Sequence, residues 1–161
     1  MREKALLERI EQLIEDADAF EDFFMDNPVP SWHKTIVDGD KLVMDLVNPA
    51  YTAYTGISAD AYRGQKDSAL WSREASDRFN GNDLEVRRTR NRVAIAEPAD
   101  NPVTGVPEVW VGWKWPRFDS EGKVIGIWGK AIPYPRALWD AIQDKHPYFA
   151  SYNDGDYRER K

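Results

Sequence analysis

The chain has no cysteine. That removes disulfides, thiolate zinc sites and thiol nucleophiles together. Histidine is nearly as scarce, with two in 161 residues, so most nucleophile–base pairs and most metal sites lack members. His33 and His146 stand apart, with no second histidine or matched carboxylate at metal-ligand spacing, and read as structural or solvent-facing. No run reaches the ~18 apolar residues that suggest a membrane-spanning helix. Excess positive charge is absent too. Lys and Arg number 22 against 28 Asp and Glu, a net charge of −6, which argues against general attraction to nucleic acid or anionic membrane. The opening MREKALLERIEQLIEDADAF is amphipathic and acidic, unlike the basic cap and apolar core of a secretion signal. These absences fit a cytoplasmic protein. No GxSxG, HExxH, P-loop or GxGxxG occurs, and the sequence reads as that of a non-enzyme.

What is present is bulk for a core. Hydrophobic residues make up 42%, including seven Trp, seven Tyr and six Phe, enough for one globular domain without staples. Residues 3–24 read as a helix whose Leu6, Ile10, Leu13, Ala17 and Phe20 recur at steps of four and three. Such a narrow stripe suits packing on the parent domain or a short coiled coil with a second copy. The prolines of DNPVP end it. The chain thus divides into an amphipathic helix (1–24), a folded domain (25–133), and a C-terminal helix with a polar tail (134–161).

SWHKTIV (31–37) and KLVMDLV (41–47) are strand candidates joined through Asp-Gly, a hairpin signal. Asn48 then caps a helix that starts on Pro49 and stops at Gly56; Ser58 caps a second, closed by Gly64. Residues 76–92 suit a longer helix with a break near Gly81. Its acidic start (Asp83, Glu85) and arginine-rich end complement the helix dipole. VAIAE (93–97), EVWVGWKWPRF (108–118) and KVIGIWGKAI (123–132) read as strands, with Pro133 and Pro135 stopping the sheet. RALWDAIQDK (136–145) closes the pattern as a helix. Hairpins at both ends with helices between indicate an α+β fold on an antiparallel sheet.

At this point the chain resembles the PAS domain family over residues 20–132. VNPAYTAYTGISADAYRG is similar to that family's segment after its second strand, and WKWPRFDSEGKVIGIWG to its last hairpin. Glu97 also stands where the family often has Glu. The resemblance implies a five-stranded antiparallel sheet of order 2-1-5-4-3, with short helices on one face and flanking N- and C-terminal helices. It implies a sensory or signalling module that binds a small molecule in an enclosed pocket, or that mediates dimerisation and protein–protein contact.

Alternation sorts the last two strands by face. Ile125, Ile127 and Gly129 share one side, which the resemblance turns inward together with Trp110 and Lys114. Trp110 either stacks on a flat ligand or fills the cavity; Lys114 either draws an acidic group or snorkels outward. Tyr51, Tyr54 and Tyr62 lie on the short helices that roof the pocket. Val111, Trp113, Trp115 and, from the last strand, Trp128 fall on the outer face, which needs cover from the N-terminal helix or a second subunit. With Leu6, Ile10, Leu13 and Phe20 they make the expected homodimer interface. The cofactor is unassigned. A cysteinyl-flavin adduct has no cysteine, and the long helix lacks the histidine by which haem-binding members hold iron. A separate output protein is the expected recipient of any signal. The alternatives are a ligand-free docking scaffold and, with less support, nucleic-acid binding through RRTRNR (Arg87 to Arg92).

Overall fold

The computed structural model describes residues 24–142. Two strands, β1 (Ser31–Val37) and β2 (Lys41–Val47), pair as an antiparallel hairpin. Asp38 and Gly39 take φ of 50° and 86° at its tip, a left-handed geometry that Gly adopts freely and Asp tolerates. The chain then makes two short helices, α1 (Pro49–Thr55) and α2 (Ala59–Tyr62). Asn48 caps the first by accepting from Tyr51 N, and Ser58 caps the second by accepting from Ala61 N. Gly56 ends α1 in the left-handed region. A 3-10 turn at Asp67–Ala69 leads into α3 (Arg73–Thr89).

The long helix departs from expectation at three points. It starts earlier, because Ser72 supplies the N-cap by accepting from Ala75 N. It runs unbroken through Gly81, which is buried against its neighbours. It ends at Thr89, since Arg90 turns left-handed at φ 60°. Arg88 and Arg92 therefore do not share a helical face. Each arginine of the run except Arg88 reaches another part of the fold. Arg87 donates to the Gly39 and Asp40 carbonyls, and Arg90 to the Gly122 carbonyl. Arg92 stacks on Trp113 at 4.3 Å, while Arg88 pairs with Glu85 on its own helix.

β3 (Val93–Asp100), β4 (Pro107–Phe118) and β5 (Val124–Pro135) complete a five-stranded antiparallel sheet of order β2-β1-β5-β4-β3. β5 passes through Pro133 instead of stopping there. β1 pairs with β5 only as far as Ser31 opposite Lys130, so at Pro133 one side of β5 is free and a missing N–H costs no ladder bond. Asp119 Oδ1 accepts from Glu121 N and Lys123 N, shaping the turn between β4 and β5. A last helix, α4 (Arg136–Ile142), follows.

Helices α1 to α3 lie on one face of the sheet and α4 on the other. This placement answers the question of cover for the outer face. Val109, Val111 and Trp113 are buried in one cluster with Tyr134, Trp139 and Ile142, the last two from α4. Trp128 packs on Phe24 at 5.5 Å, with half-buried Trp115 beside them. Among the described residues, the chain itself thus covers Val111, Trp113 and Trp128. Leu6, Ile10, Leu13 and Phe20 lie outside the described residues. Among those described, no helix is long and apolar enough to cross a membrane.

Candidate functional site

Strand alternation sends Trp32 and Lys34 of β1, Glu97 of β3, and Trp110 and Lys114 of β4 to the helix-covered face. There they meet Tyr51 of α1, Tyr62 of α2, Asp67 of the 3-10 turn, Trp71, and Phe79 of α3 around one cavity. The space that water can occupy is about 20 Å³, and the whole void is about 310 Å³ when the part open to solvent is counted. The first figure holds about one water molecule.

Five ionisable side chains form a continuous network beside this space. Lys34 Nζ donates to Asp67 Oδ2 at 2.5 Å and to Asp83 Oδ2 at 2.7 Å. Asp83 Oδ1 lies 2.9 Å from Lys114 Nζ, which also donates to Glu97 Oε2 at 2.7 Å and the Phe79 carbonyl at 3.2 Å. Asn82 Nδ2 donates to the same Glu97 oxygen, and Tyr62 Oη to Asp67 Oδ1. All five charged side chains are at most 3% exposed. Asp83, one helical turn after Phe79 on the buried stripe of α3, bridges the two lysines. It serves the ion network, not the helix dipole.

Burial and pairing pull these groups in opposite directions. For Lys34, burial disfavours the ammonium, but Asp67 and Asp83 outweigh it and raise the lysine above its ordinary range. For Asp83, burial favours the neutral acid, yet Lys114 and Lys34 hold it below the usual carboxylate value. Glu97 goes the other way. Burial raises it, Lys114 only partly compensates, and the negative charge of Asp83 adds to the rise. Burial also raises the Tyr51 and Tyr62 hydroxyls.

Aromatic rings enclose the rest. Trp32 meets Tyr51 at 5.9 Å and Trp110 at 6.4 Å between ring centres; Trp71 meets Phe79 at 5.2 Å and Trp110 at 6.1 Å, both edge to face. The lysines sit among these rings, with Lys114 Nζ 5.7 Å from the centre of Phe79 and Lys34 Nζ 5.9 Å from it. Lys114 does not snorkel outward; it is fully buried.

Of the residues singled out in the sequence, Tyr51, Tyr62, Trp110 and Lys114 line the cavity. Ile127 packs in the core cluster around it. Three do not reach it. Tyr54 is 50% exposed, because α1 packs through Tyr51 and Thr55 and leaves it on the flank. Ile125 is only half-buried, beyond the last residue of β5 that β1 pairs, Gly126. Gly129 lies under the Trp32 ring, where an added Cβ would come within 2.1 Å of it. Its lack of a side chain gives room to an indole, not to a ligand. Gly129→Ala is expected to cost about 1–3 kcal/mol of stability by overpacking. Chemical denaturation followed through tryptophan emission measures this, and an unchanged midpoint would mean that the ring moves freely.

Lys34, Asp67, Asp83, Trp32 and Trp71 were not foreseen as site residues. A signal existed for three of them. Trp32 and Lys34 alternate onto one face of SWHKTIV, and Asp83 interrupts the apolar series Phe79, Val86 on α3. Elsewhere, His33 Nδ1 bonds Asp45 Oδ1 at 2.6 Å on the opposite face of β1, so this histidine has a carboxylate partner after all. Among the described residues no group of three His, Asp or Glu is placed to hold a metal.

The family model for the PAS fold matches residues 34–131. No curated protein matches the chain. Solved structures do. A LOV protein from Rhodobacter sphaeroides superposes with a TM-score of 0.59 at 10% identity, over 79% of this chain and 74% of that one. The PAS domain of a Colwellia psychrerythraea protein gives 0.59 at 10% identity, over 74% and 98%. VqmA, solved bound to DPO, gives 0.55 at 21% identity, over 70% of this chain and 56% of that one. At such identities these likenesses speak for the fold, and together with the family match they identify the chain as a member of the PAS fold family.

Proposed function

We propose that this chain is a sensory module that binds a small molecule in the cavity between its sheet and helices α1 to α3. The observation that carries this reading is the buried ion network on the cavity wall. Paired charges in a core are often no more stabilising than apolar residues of the same size, whereas a ligand site needs fixed polar groups on an apolar surface. The likeness to VqmA, solved with DPO bound, adds support by analogy of fold.

A route out of the site runs through Asn48. Its Oδ1 accepts from Tyr51 N on α1, and its Nδ2 donates to the carbonyls of Phe24, Asn27 and Val29. Binding that shifts α1 therefore moves the segment leading from the N-terminal region. A signal is a change in the population of two such packings. A homodimer through the apolar stripe Leu6, Ile10, Leu13 and Phe20, and a separate output protein, complete the proposal. Cytoplasmic residence is part of it as well.

One observation favours the docking scaffold without a ligand: water-sized space in the cavity is only about 20 Å³. Native mass spectrometry of freshly purified protein, set against the denatured mass, separates the two. A discrete non-covalent extra mass is the expected result. A protein that stays free of any adduct, also after incubation with cell extract metabolites, would favour the scaffold.

A further inference from the structure

The hydrogen-bonding capacity left over around the cavity is specific in kind. Both lysines are committed to carboxylates. Tyr62 Oη is given to Asp67. Trp110, which lines the cavity and is 3% exposed, has an Nε1–H with no hydrogen-bond partner. A buried donor without an acceptor is costly and rare in native proteins. Trp71 Nε1, on the same wall, meets no partner in full hydrogen-bonding geometry, though it interacts with the Tyr51 hydroxyl. The surplus is thus one of donors, set among aromatic faces.

Charge narrows the choice further. A cationic ligand would enter beside the ammonium groups of Lys34 and Lys114, which already lie near the Phe79 and Trp32 rings. An anionic ligand would face three carboxylates, Asp67, Asp83 and Glu97, that already satisfy both lysines. Each charged class meets its own sign in a desolvated space. An uncharged ligand meets neither penalty. Size narrows it again: water-sized room is about 20 Å³ and the void of about 310 Å³ includes open solvent, so a ligand is no larger than a single flat ring entering from the open mouth, and a tricyclic or macrocyclic cofactor is excluded.

We propose that the cavity takes a small, planar, uncharged molecule of one ring that accepts hydrogen bonds, through a carbonyl oxygen or ring nitrogen, from the indole N–H of Trp110. The flat ring lies against Trp32, Trp71 or Tyr51, and the acceptor satisfies the orphaned donor. This rests on the reading of the cavity as a ligand site and adds the class of ligand.

Three probes of one shape and different charge test it: benzamide, benzoate and benzylamine, titrated at equal millimolar concentration into the full chain. The readout is the set of indole N–H resonances in a ¹H–¹⁵N spectrum, with Trp110 assigned from Trp110→Phe. Benzamide is expected to shift the Trp110 resonance, and to bind at least about tenfold more tightly than either charged probe. Trp110→Phe keeps an aromatic face but removes the five-membered ring of the indole together with its donor. It should weaken benzamide about five- to tenfold, beyond any fall in the thermal midpoint of the free protein that the lost ring volume brings. A purely structural tryptophan would show a lowered midpoint and no selective loss of benzamide. Preference for benzoate or benzylamine, or no response to benzamide, overturns the ligand class. The sensor reading is judged separately by the native mass, so failure of the ligand class is distinguishable from failure of that reading.

Discussion

Asp83→Asn is expected to destabilise the protein by about 3–5 kcal/mol at neutral pH, the range for breaking a buried ion pair from one side. Asp83 answers both lysines, Lys34 through Oδ2 and Lys114 through Oδ1. Asparagine preserves shape and one acceptor oxygen but leaves two buried ammonium groups with two carboxylates, Asp67 and Glu97. Burial raises the second of these toward its neutral form. The effect carries a pH signature. Asp83 is held below its ordinary value, burial notwithstanding, by Lys114 and Lys34. Its stabilisation is therefore complete above the unfolded pKa of ~3.9 and is lost as pH falls through the depressed folded value. Glu97 has the opposite sign, since its raised value makes ionisation cost stability as pH climbs through it. Lys34, raised by its two partners against burial, contributes fully below ~10.4 and loses that only in strong base. Denaturant midpoints from about pH 2 to about pH 9 should show the wild-type and Asp83→Asn curves far apart at neutrality and drawing together only below about pH 4. Parallel curves would mean that Asp83 holds no depressed titration and that the loss is one of packing.

Much of the frame was legible because local rules and the tertiary fold agree in it. β1 and β2 begin and end where alternation and the Asp-Gly tip put them. The caps at Asn48 and Ser58 act as their side-chain chemistry requires. The two faces of β4 and β5 also separate as alternation demands, with Trp110 and Ile127 in one core cluster and Val111 and Trp113 in another. What was not legible depends on partners distant in sequence. An aspartate read as part of the acidic start of a helix with an arginine-rich end looks like a dipole device; only the arrival of β1 and β4 beneath α3 makes Asp83 a bridge. Asp67 sits in a polar connector without periodicity, 33 residues from the lysine it binds. Glycine in a strand signals a close approach, but nothing in the local pattern says that the approaching group at Gly129 is the Trp32 ring. Cover for the outer face was foreseen as a need. Its source is α4, through Trp139, which no local rule assigns to a side of the sheet.

Asn48→Ala should be about as damaging, at roughly 3–5 kcal/mol, near the top of the range for single substitutions. The side chain is fully buried and joins three pieces of backbone. Its Oδ1 accepts from Ser31 N and Tyr51 N, and its Nδ2 donates to the carbonyls of Phe24, Asn27 and Val29. Alanine orphans two buried donors and takes a side-chain donor from all three carbonyls, of which Val29 keeps the Ser31 hydroxyl, at about 1–3 kcal/mol for each group left unpaired. The serine variant separates the two roles. A serine hydroxyl still caps α1, so a residue that acted only as a helix cap would lose little, within about 1 kcal/mol. Serine is too short to reach Phe24, Asn27 and Val29, so a residue that ties the roof of the cavity to the N-terminal segment stays costly. Amide hydrogen exchange locates the loss. Asn48→Ser is expected to speed exchange over residues 24–31 more than over α3, and equal acceleration everywhere would reduce Asn48 to a contributor to global stability. If the tether acts as proposed, the same variant should uncouple the ends of the module. Ligand would still occupy the cavity, because none of its lining side chains has changed, while the response of the N-terminal segment to that ligand would be lost.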